Sequence, residues 1–450
     1  MIFYGTIKRE FYFGFLGLLI LAGIFSSGVT HGQTLEFETV LEQVIAKSYD
    51  LRIAEIDMDI GGHKLVEAIS EYYPSLSLRF YSEYDRDLSD VESGVASVGD
   101  NVFTGDGGVM YKDSLSLNMN YNLYDFGLRD KMVDNALRDV KIADFNVDQQ
   151  LMDIRARVLT IYQKGLTLCR KMRAQSAILN CRKKIYTLVK RLCDAGNAGK
   201  FELAGKAIDL AEAVQDMDGL QLEWENTLQE LSAYTGERYD AENDEFTDFR
   251  EPVLSEKTPK VRDMPSIRIY DLEIEKKQAE YEANITEWLP KISLYSSYRF
   301  YGSDPSTFSE SFQDIHETDY IAGIMFDLNL FRGFGDRAKG RRLRSELGRL
   351  KIEREKKIVE QESLVNMLKA DLRIYKRQKE KWDDMREEIS AWSKMSGRLA
   401  EQKVKDRIFF IDQEIERIER VLEIEVKNID RIATLYRMRF LAGKGPGERD

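Results

Sequence analysis

The stretch SLSLNMNYNLYDFG, residues 114–127, alternates apolar and polar side chains and then stops at a glycine. Leu115, Leu117, Met119, Tyr121 and Leu123 share one parity, and Ser114, Ser116, Asn118, Asn120 and Asn122 share the other. A two-residue period is that of a strand with one greasy and one wet face. What wets the second face is the question, because most of the chain reads as long charged helices.

Only 7 prolines and 30 glycines punctuate 450 residues, so long uninterrupted elements are expected. A net charge of -12 argues against nucleic acid as a partner, since neutralising phosphates takes a basic face. Near the N-terminus, Lys8 and Arg9 precede the apolar run FYFGFLGLLILAGIF, and the small, polar SSGVTHGQ follows. That layout is a secretory signal covering residues 1–32, with cleavage near Gly32 or Gln33; an uncleaved signal anchor is the alternative. No cysteine sits by the cleavage zone, so no lipid anchor is expected there. Cys169, Cys181 and Cys193 recur along one predicted helix about 18 Å apart, beyond disulfide reach, and read as apolar packing residues. His31, His63 and His316 form no metal-ligand pattern with them, and no cofactor is expected.

Comparing the chain with itself reveals a tandem duplication. EYYPSLSLRFYSEY (71–84) returns as EWLPKISLYSSYRF (287–300), Pro290 falling on Pro74. YNLYDFGLRDK returns as LNLFRGFGDRAK (328–339), and YTGE (234–237) as LAGK (441–444). Each copy predicts helix, strand, loop, strand, very long helix, break and helix, with a shorter loop in copy two. The first copy begins with a helix from about Glu36 to Tyr72, ended by Pro74. Prolines 252, 259 and 265 mark a linker. The expected division is a first repeat over 33–237, a linker over 238–264, a second repeat over 265–443 and a short tail over 444–450.

Four strands are amphipathic. Leu76, Leu78, Phe80 and Tyr84 alternate with Ser77, Arg79, Tyr81 and Glu83; Ile292, Leu294, Tyr298 and Phe300 alternate with Lys291, Ser293, Ser297 and Arg299. The last strand sets Tyr320, Ala322, Ile324, Phe326, Leu328 and Leu330 against Gly323, Asp327 and Asn329. The helices carry a heptad seam instead, through Val133, Ala136, Val140, Ala143, Val147, Ile154, Val158, Ile161, Gly165 and Leu168, and again from Ile408 to Tyr436. With no proline from Leu128 to Asp194, the first long helix reaches roughly 100 Å. A free-standing coiled-coil rod would explain the helices alone. Each strand taken singly would also fit a half-buried soluble sheet. Four together, aromatic near their ends, in an exported chain with no other core to cover, match membrane-spanning barrel strands. Lipid leaves no sheet edge open and the smallest usual barrel has about eight strands, so four per chain demand an oligomer.

The order of elements, the duplication, the strand starts YPSLSL and LPKISL, the strand-to-helix exits LYDFGLRDK and LFRGFGDRAK, and the repeat ends YTGE and LAGK resemble the TolC-like outer-membrane efflux protein family. The resemblance runs from about Leu35 to Gly443. It implies a membrane β-barrel joined to a long α-helical coiled-coil tunnel. A homotrimer would pool twelve strands in the outer membrane and extend a tunnel through the periplasm to a periplasmic adaptor protein and an inner-membrane pump. On that view Ser116, Asn118, Asn120, Asn122, Ser293, Arg299, Asp327 and Asn329 line the lumen. Leu115, Leu117, Met119, Tyr121, Leu294, Tyr298, Phe326 and Leu328 face outer-membrane lipid. At the tunnel tip, Gly196 and Gly199 in DAGNAGKFEL would supply the freedom to reverse a helix. Glu202, Asp406 and Asp412 are the candidates for the acidic entrance that the family often carries. Phe409 stands where copy one has Glu202, which weakens or shifts such a ring.

No catalytic constellation competes: carboxylates are spread along solvated helix positions, and no serine or cysteine has a base partner in a recognisable motif. The acidic, glycine-rich loop 87–109 lacks the spacing of a calcium loop and reads as an extracellular loop. The expected function is a passive outer-membrane exit duct for efflux or type I secretion. The alternative is a trimeric structural stalk or surface adhesin anchored by a barrel.

Overall fold

The structure is a computed structural model that describes residues 34–86, 96–98, 101–103, 109–241, 243–252, 260–400 and 407–443. In chain order the elements are β1 (Thr34–Leu35), α1 (Phe37–Lys47), α2 (Tyr49–Ser70), β2 (Ser75–Arg86), β3 (Ala96–Val98), β4 (Asn101–Phe103), β5 (Val109–Tyr124), α3 (Leu128–Asp194), α4 (Lys200–Thr235) and β6 (Glu245–Phe246). After a 3-10 turn at Val261–Asp263 follow α5 (Pro265–Thr286), β7 (Lys291–Asp304), α6 (Phe308–Gln313), β8 (Glu317–Asp327), α7 (Gly335–Ala400) and α8 (Arg407–Leu441). The expected signal segment, Asp406, the tail and most of the 87–109 loop lie outside the described residues.

Three expectations about elements are corrected. The helix expected from Glu36 to Tyr72 is two helices, because Ser48 turns extended (ψ 121°) and caps α2 by accepting from the Leu51 amide at 3.2 Å. The last strand stops at Asp327, so Leu328, Asn329 and Leu330 lie in the connection after it. Helix α6, which no periodicity announces, fills the loop between β7 and β8.

The four long strands form one antiparallel sheet in the order β2-β5-β7-β8. Pro74 and Pro290 stand directly before β2 and β7, where a helix cannot continue. Each repeat leaves its sheet through the same backbone turn. Phe126 and Gly127 have φ 55° and 79°, and Gly333 and Phe334 have φ 60° and 66°. Two successive left-handed residues reverse the chain into α3 or α7, although the glycine and phenylalanine have exchanged places. An i,i+4 ion pair braces each exit with its signs exchanged: Asp125–Arg129 at 2.8 Å, both partners largely buried, and Arg332–Asp336 at 3.6 Å.

Helix α3 is the spine. Its 67 residues pack on α2 and α5 toward the sheet and on α4 and α8 toward the far end, while α7 runs beside α5 and then α8. Ala136, Ala143, Ile154, Val158, Ile161, Gly165 and Leu168 of the heptad seam are buried. Cys169 and Cys181 are buried free thiols within this packing, their pKa values pushed up by burial, and Cys193 is half-buried.

The largest core gathers at mid-length of α3, roughly 50 Å from either end. There β1 pairs in parallel with β6, tying the segment before α1 to the segment after α4. Phe37 packs edge-on against Tyr162, Phe249 and Tyr436 with centroids 4.8–5.4 Å apart. The buried Tyr162 hydroxyl lies 2.7 Å from the carbonyls of both Leu35 and Thr247, one proton serving two strand ends. Tyr436 donates to Glu38 or to the Arg250 carbonyl, each 3.0 Å away. Arg431, almost wholly buried, holds Glu251 through contacts of 2.6 and 3.2 Å, and Lys379 of α7 reaches the same carboxylate at 3.6 Å. One side chain of the linker thereby ties both α7 and α8 to this waist.

Two outcomes follow from the waist. A Cβ on Gly165 would sit 2.5 Å from the Phe246 ring, so Gly165→Ala should cost about 1–3 kcal/mol. Gly219→Ala, with nothing within 4 Å, should be neutral or gain up to about 1 kcal/mol of helix propensity. Equal unfolding midpoints for the two variants would contradict this packing. The Arg431 hydrogen bonds hold the Glu251 carboxyl below its ordinary range, against the opposing effect of burial. A depressed carboxyl stabilises the fold above its unfolded pKa, and that contribution is lost as pH falls through the lower folded value. Glu251→Gln should therefore be less stable at pH 7, with its stability converging on the parent's below about pH 4. A constant difference across that range would show that the carboxylate charge is not what matters.

Candidate functional site

Strand register sorts side chains onto two faces, because directly paired residues point the same way. One face carries the rows Ser77–Asn118–Ser297–Ile321 and Arg79–Ser116–Arg299–Asp319, polar on β2, β5 and β7 but with Ile321 and Met325 contributed by β8. Ser297 donates to Asn118 at 2.8 Å, and Asn118 donates to Ser116 at 3.0 Å, so the face is a connected polar surface. Asn120, Asn122, Ser293 and Asp327 lie on it as well, whereas Asn329 falls beyond β8. Lys112, Tyr295, Tyr301 and Asp319 join them, found by parity once the strand limits are known. A concavity of about 600 Å³ opens on this side, lined by Arg79, Glu83, Lys112, Asn118, Arg299 and Asp319 among others.

Leu115, Leu117, Met119, Tyr121, Leu294, Tyr298 and Phe326 share the opposite face, and Leu328 follows the strand. A register shift between Asn122 and Tyr124 turns Tyr124 onto the apolar side opposite Ile292. Away from α6 this face is bare: Leu76, Leu78, Ile324 and Phe326 are each 63–70% exposed. A contiguous apolar surface of that kind needs an apolar neighbour. Exposed aromatics bracket it. Tyr73, Tyr124, Phe126, Trp288, Phe331 and Phe334 stand at the helix end, and Tyr84, Phe308 and Phe312 at the other. Among the described residues no helix is long and apolar enough to cross a membrane, which says nothing of strands.

At the far end, α3 stops in a Schellman turn: Asn197 donates to the Leu192 carbonyl at 2.7 Å, Gly196 donates to Cys193 at 3.0 Å, and Gly196 takes φ 78°. Gly199 has ordinary extended angles (φ -82°, ψ 151°), so only Gly196 of the two expected glycines supplies left-handed freedom. Glu202 is exposed in the first turn of α4, where a carboxylate suits the helix N-terminus. Asp412 stands apart from it, half-buried on α8, and accepts from Arg182 of α3 at 3.3 Å. Arg182 also lies 3.6 Å from Asp209 of α4, which Lys206 approaches at 3.0 Å. Arg182 thus joins three helices near the tip. No periodicity could single it out, since Asp412 is 230 positions away. Phe201, Ile208 and Phe409, at 93%, 59% and 60% exposure, are bare apolar groups here. No group of three or more His, Cys, Asp or Glu among the described residues is placed to hold a metal ion.

Residues 40–237, from within α1 to just past α4, match the outer membrane efflux protein family. No curated protein matches by sequence. Among solved structures, a membrane protein from Pseudomonas aeruginosa is similar over 91% of this chain and 93% of its own, with a TM-score of 0.72 at 16% identity. The CmeC outer membrane channel of Campylobacter jejuni is similar over 90% of this chain and 85% of its own (TM-score 0.67, 14% identity). The outer membrane protein VceC of Vibrio cholerae is similar over 90% and 96% (TM-score 0.64, 13% identity). At such identities the likeness speaks for the fold, a helical tunnel with barrel strands, and the family match speaks for the lineage. Over residues 40–237 the chain matches the outer membrane efflux protein family, and over some nine-tenths of its length it shares the fold of the solved outer-membrane proteins named above.

Proposed function

We propose that this protein is the passive exit duct of a multi-component efflux or type I secretion system, built as a homotrimer. The observation that carries the reading is the sheet: mostly polar on one face, apolar on the other, with β2 and β8 as unlike edges that have no strand partner among the described residues. Lipid leaves no edge strand unpaired, so β2 of one copy must meet β8 of the next, a head-to-tail contact that closes into a ring. Three copies bring twelve strands, a size that leaves a water-filled bore. Helical edges support the same arrangement. Tyr49, Ile53, Ile56 and Ile60 on α2, and Ile352, Val359, Met367 and Ile374 on α7, form exposed seams at heptad-like spacing on the two flanks of the helical layer.

In this assembly Ser116, Asn118, Asn120, Asn122, Ser293, Arg299 and Asp327 line the lumen, and Leu115, Leu117, Met119, Tyr121, Leu294, Tyr298 and Phe326 meet lipid. The helices form the periplasmic tunnel, whose tip receives a periplasmic adaptor and an inner-membrane pump. Energy and cargo choice belong to the pump. Glu202, Asp406 and Asp412 are the acidic groups at the mouth, Asp412 being held back by Arg182. The chain divides as a signal (1–32), two repeats (33–237 and 265–443), a linker (238–264) and a tail (444–450).

Single-channel recording of the purified full-length protein in planar bilayers tests the duct directly. Discrete conductance steps are expected, and a complete lack of them would leave only a structural stalk. Placing charge on each face tests its orientation. Met119→Arg should cost roughly 2–4 kcal/mol near the midplane and sharply reduce heat-resistant oligomer, while Asn118→Arg should assemble nearly as well as the parent. Equal losses would contradict the assignment of faces.

A further inference from the structure

Helix α6 lies on the apolar face of the sheet, at the end remote from the tunnel helices. Gly302 of β7 points toward that face by register, and a Cβ placed on it would collide with the Ser311 carbonyl and, at 2.7 Å, with that of Asp314. Ser311, fully buried, donates to the Gly302 carbonyl at 3.2 Å. The rings alongside belong to the same face: Phe308 packs on Tyr111 at 4.6 Å and Phe312 on Phe80 at 6.2 Å. Beneath the helix is Asp113, paired in register with Gly302. Its side chain is turned to the apolar side yet is only 2% exposed, and its Oδ2 has no hydrogen-bond partner among the described residues. A carboxylate on that parity would meet hydrocarbon or headgroups if nothing covered it, at a cost that depends on depth.

We infer that α6 is an interfacial helix: it seals Asp113 from the bilayer and sets Phe308 and Phe312 into the headgroup boundary of the outer leaflet. The inference rests on the reading, proposed above, that the apolar face meets lipid. Lipid is the occupant because this surface continues the face of Phe80, Leu115 and Phe300. A second copy fits less well, since the α6 backbone packs on β5 and β7, the two central strands, and not on the free β8 edge. Composition agrees. Phe308 and Phe312 remain 42% and 59% exposed after packing, while Ser309, Glu310 and Gln313 take the other side of the helix. That division suits a boundary between hydrocarbon and headgroups.

Nitroxide accessibility tests this in the full-length oligomer reconstituted into phosphatidylcholine vesicles, with Cys169, Cys181 and Cys193 replaced by alanine. Labels are placed one at a time at Phe312→Cys, Phe308→Cys, Met119→Cys and Asn118→Cys, and collision with oxygen is compared with collision with a water-soluble nickel chelate. The oxygen-to-nickel ratio at positions 312 and 308 should exceed that at 118 by about threefold or more and approach that at 119. Ratios at 312 and 308 equal to that at 118, with 119 still lipid-like, would overturn the inference and leave the assignment of faces standing. Labels at 312 and 308 reached by neither reagent would mean that protein covers α6, which also overturns it. A ratio at 119 no higher than at 118 would remove the assignment of faces, and the inference with it.

Discussion

Backbone hydrogen bonding at the sheet edges is the constraint on which the rest of this structure depends. Among the described residues, β5 and β7 are paired on both sides, while β2 and β8 each have one row of amides and carbonyls with no strand partner. In water such an edge is tolerable if short or charged. Beside a bare apolar face it is not, because the surroundings that suit Leu78 and Ile324 cannot solvate a peptide group. In the proposed homotrimer the unlike edges meet head to tail, and the exposed helical seams of α2 and α7 fall on the same two flanks. Sheet and helices pose one problem with one solution.

A long tunnel brings a second constraint. A helix as long as α3 gains nothing from its ends, so its position has to be fixed along its length by segments from elsewhere in the chain. The waist does this with aromatic packing and with hydrogen bonds to strand ends that would otherwise be buried unpaired. Around Tyr162 the desolvation of carbonyls makes those bonds hard to give up. Near the tip the character changes: Arg182, Asp209, Asp412 and Lys206 are all partly exposed, and such pairs are individually weak. The chain is therefore tied tightly at mid-length of α3 and only weakly near the turn between α3 and α4.

The two repeats show which features the backbone requires and which are interchangeable. At the exits from the sheet, Phe126–Gly127 and Gly333–Phe334 adopt the same pair of left-handed conformations in opposite residue order, and the bracing ion pairs carry opposite polarity. Geometry is what recurs. A repeat search sees the similarity of YNLYDFG and LNLFRGF, but not that the charges have traded places while the contact persists.

Local pattern by itself determined the tandem repeat, the two-faced strands, the limits of α3 and the heptad seams, because periods of 2 and 3.5 residues and the placement of Pro74, Pro290 and Gly127 act within a few positions of themselves. It failed where local choices are nearly balanced. Ser48 breaks a helix that would otherwise run on, Leu328 and Asn329 leave a strand whose alternation continues, and the six residues of α6 are too few to show a period. Gly199 takes ordinary extended angles, which local pattern does not reveal, since a glycine's identity does not say which angles it adopts. Only tertiary structure brought Arg182 to Asp412, Glu251 to Arg431 and Lys379, Phe246 against Gly165, and α6 over Asp113. Those contacts join residues far apart in the chain, and no local period encodes them: they arise when the strands pair in register and the helices are laid side by side.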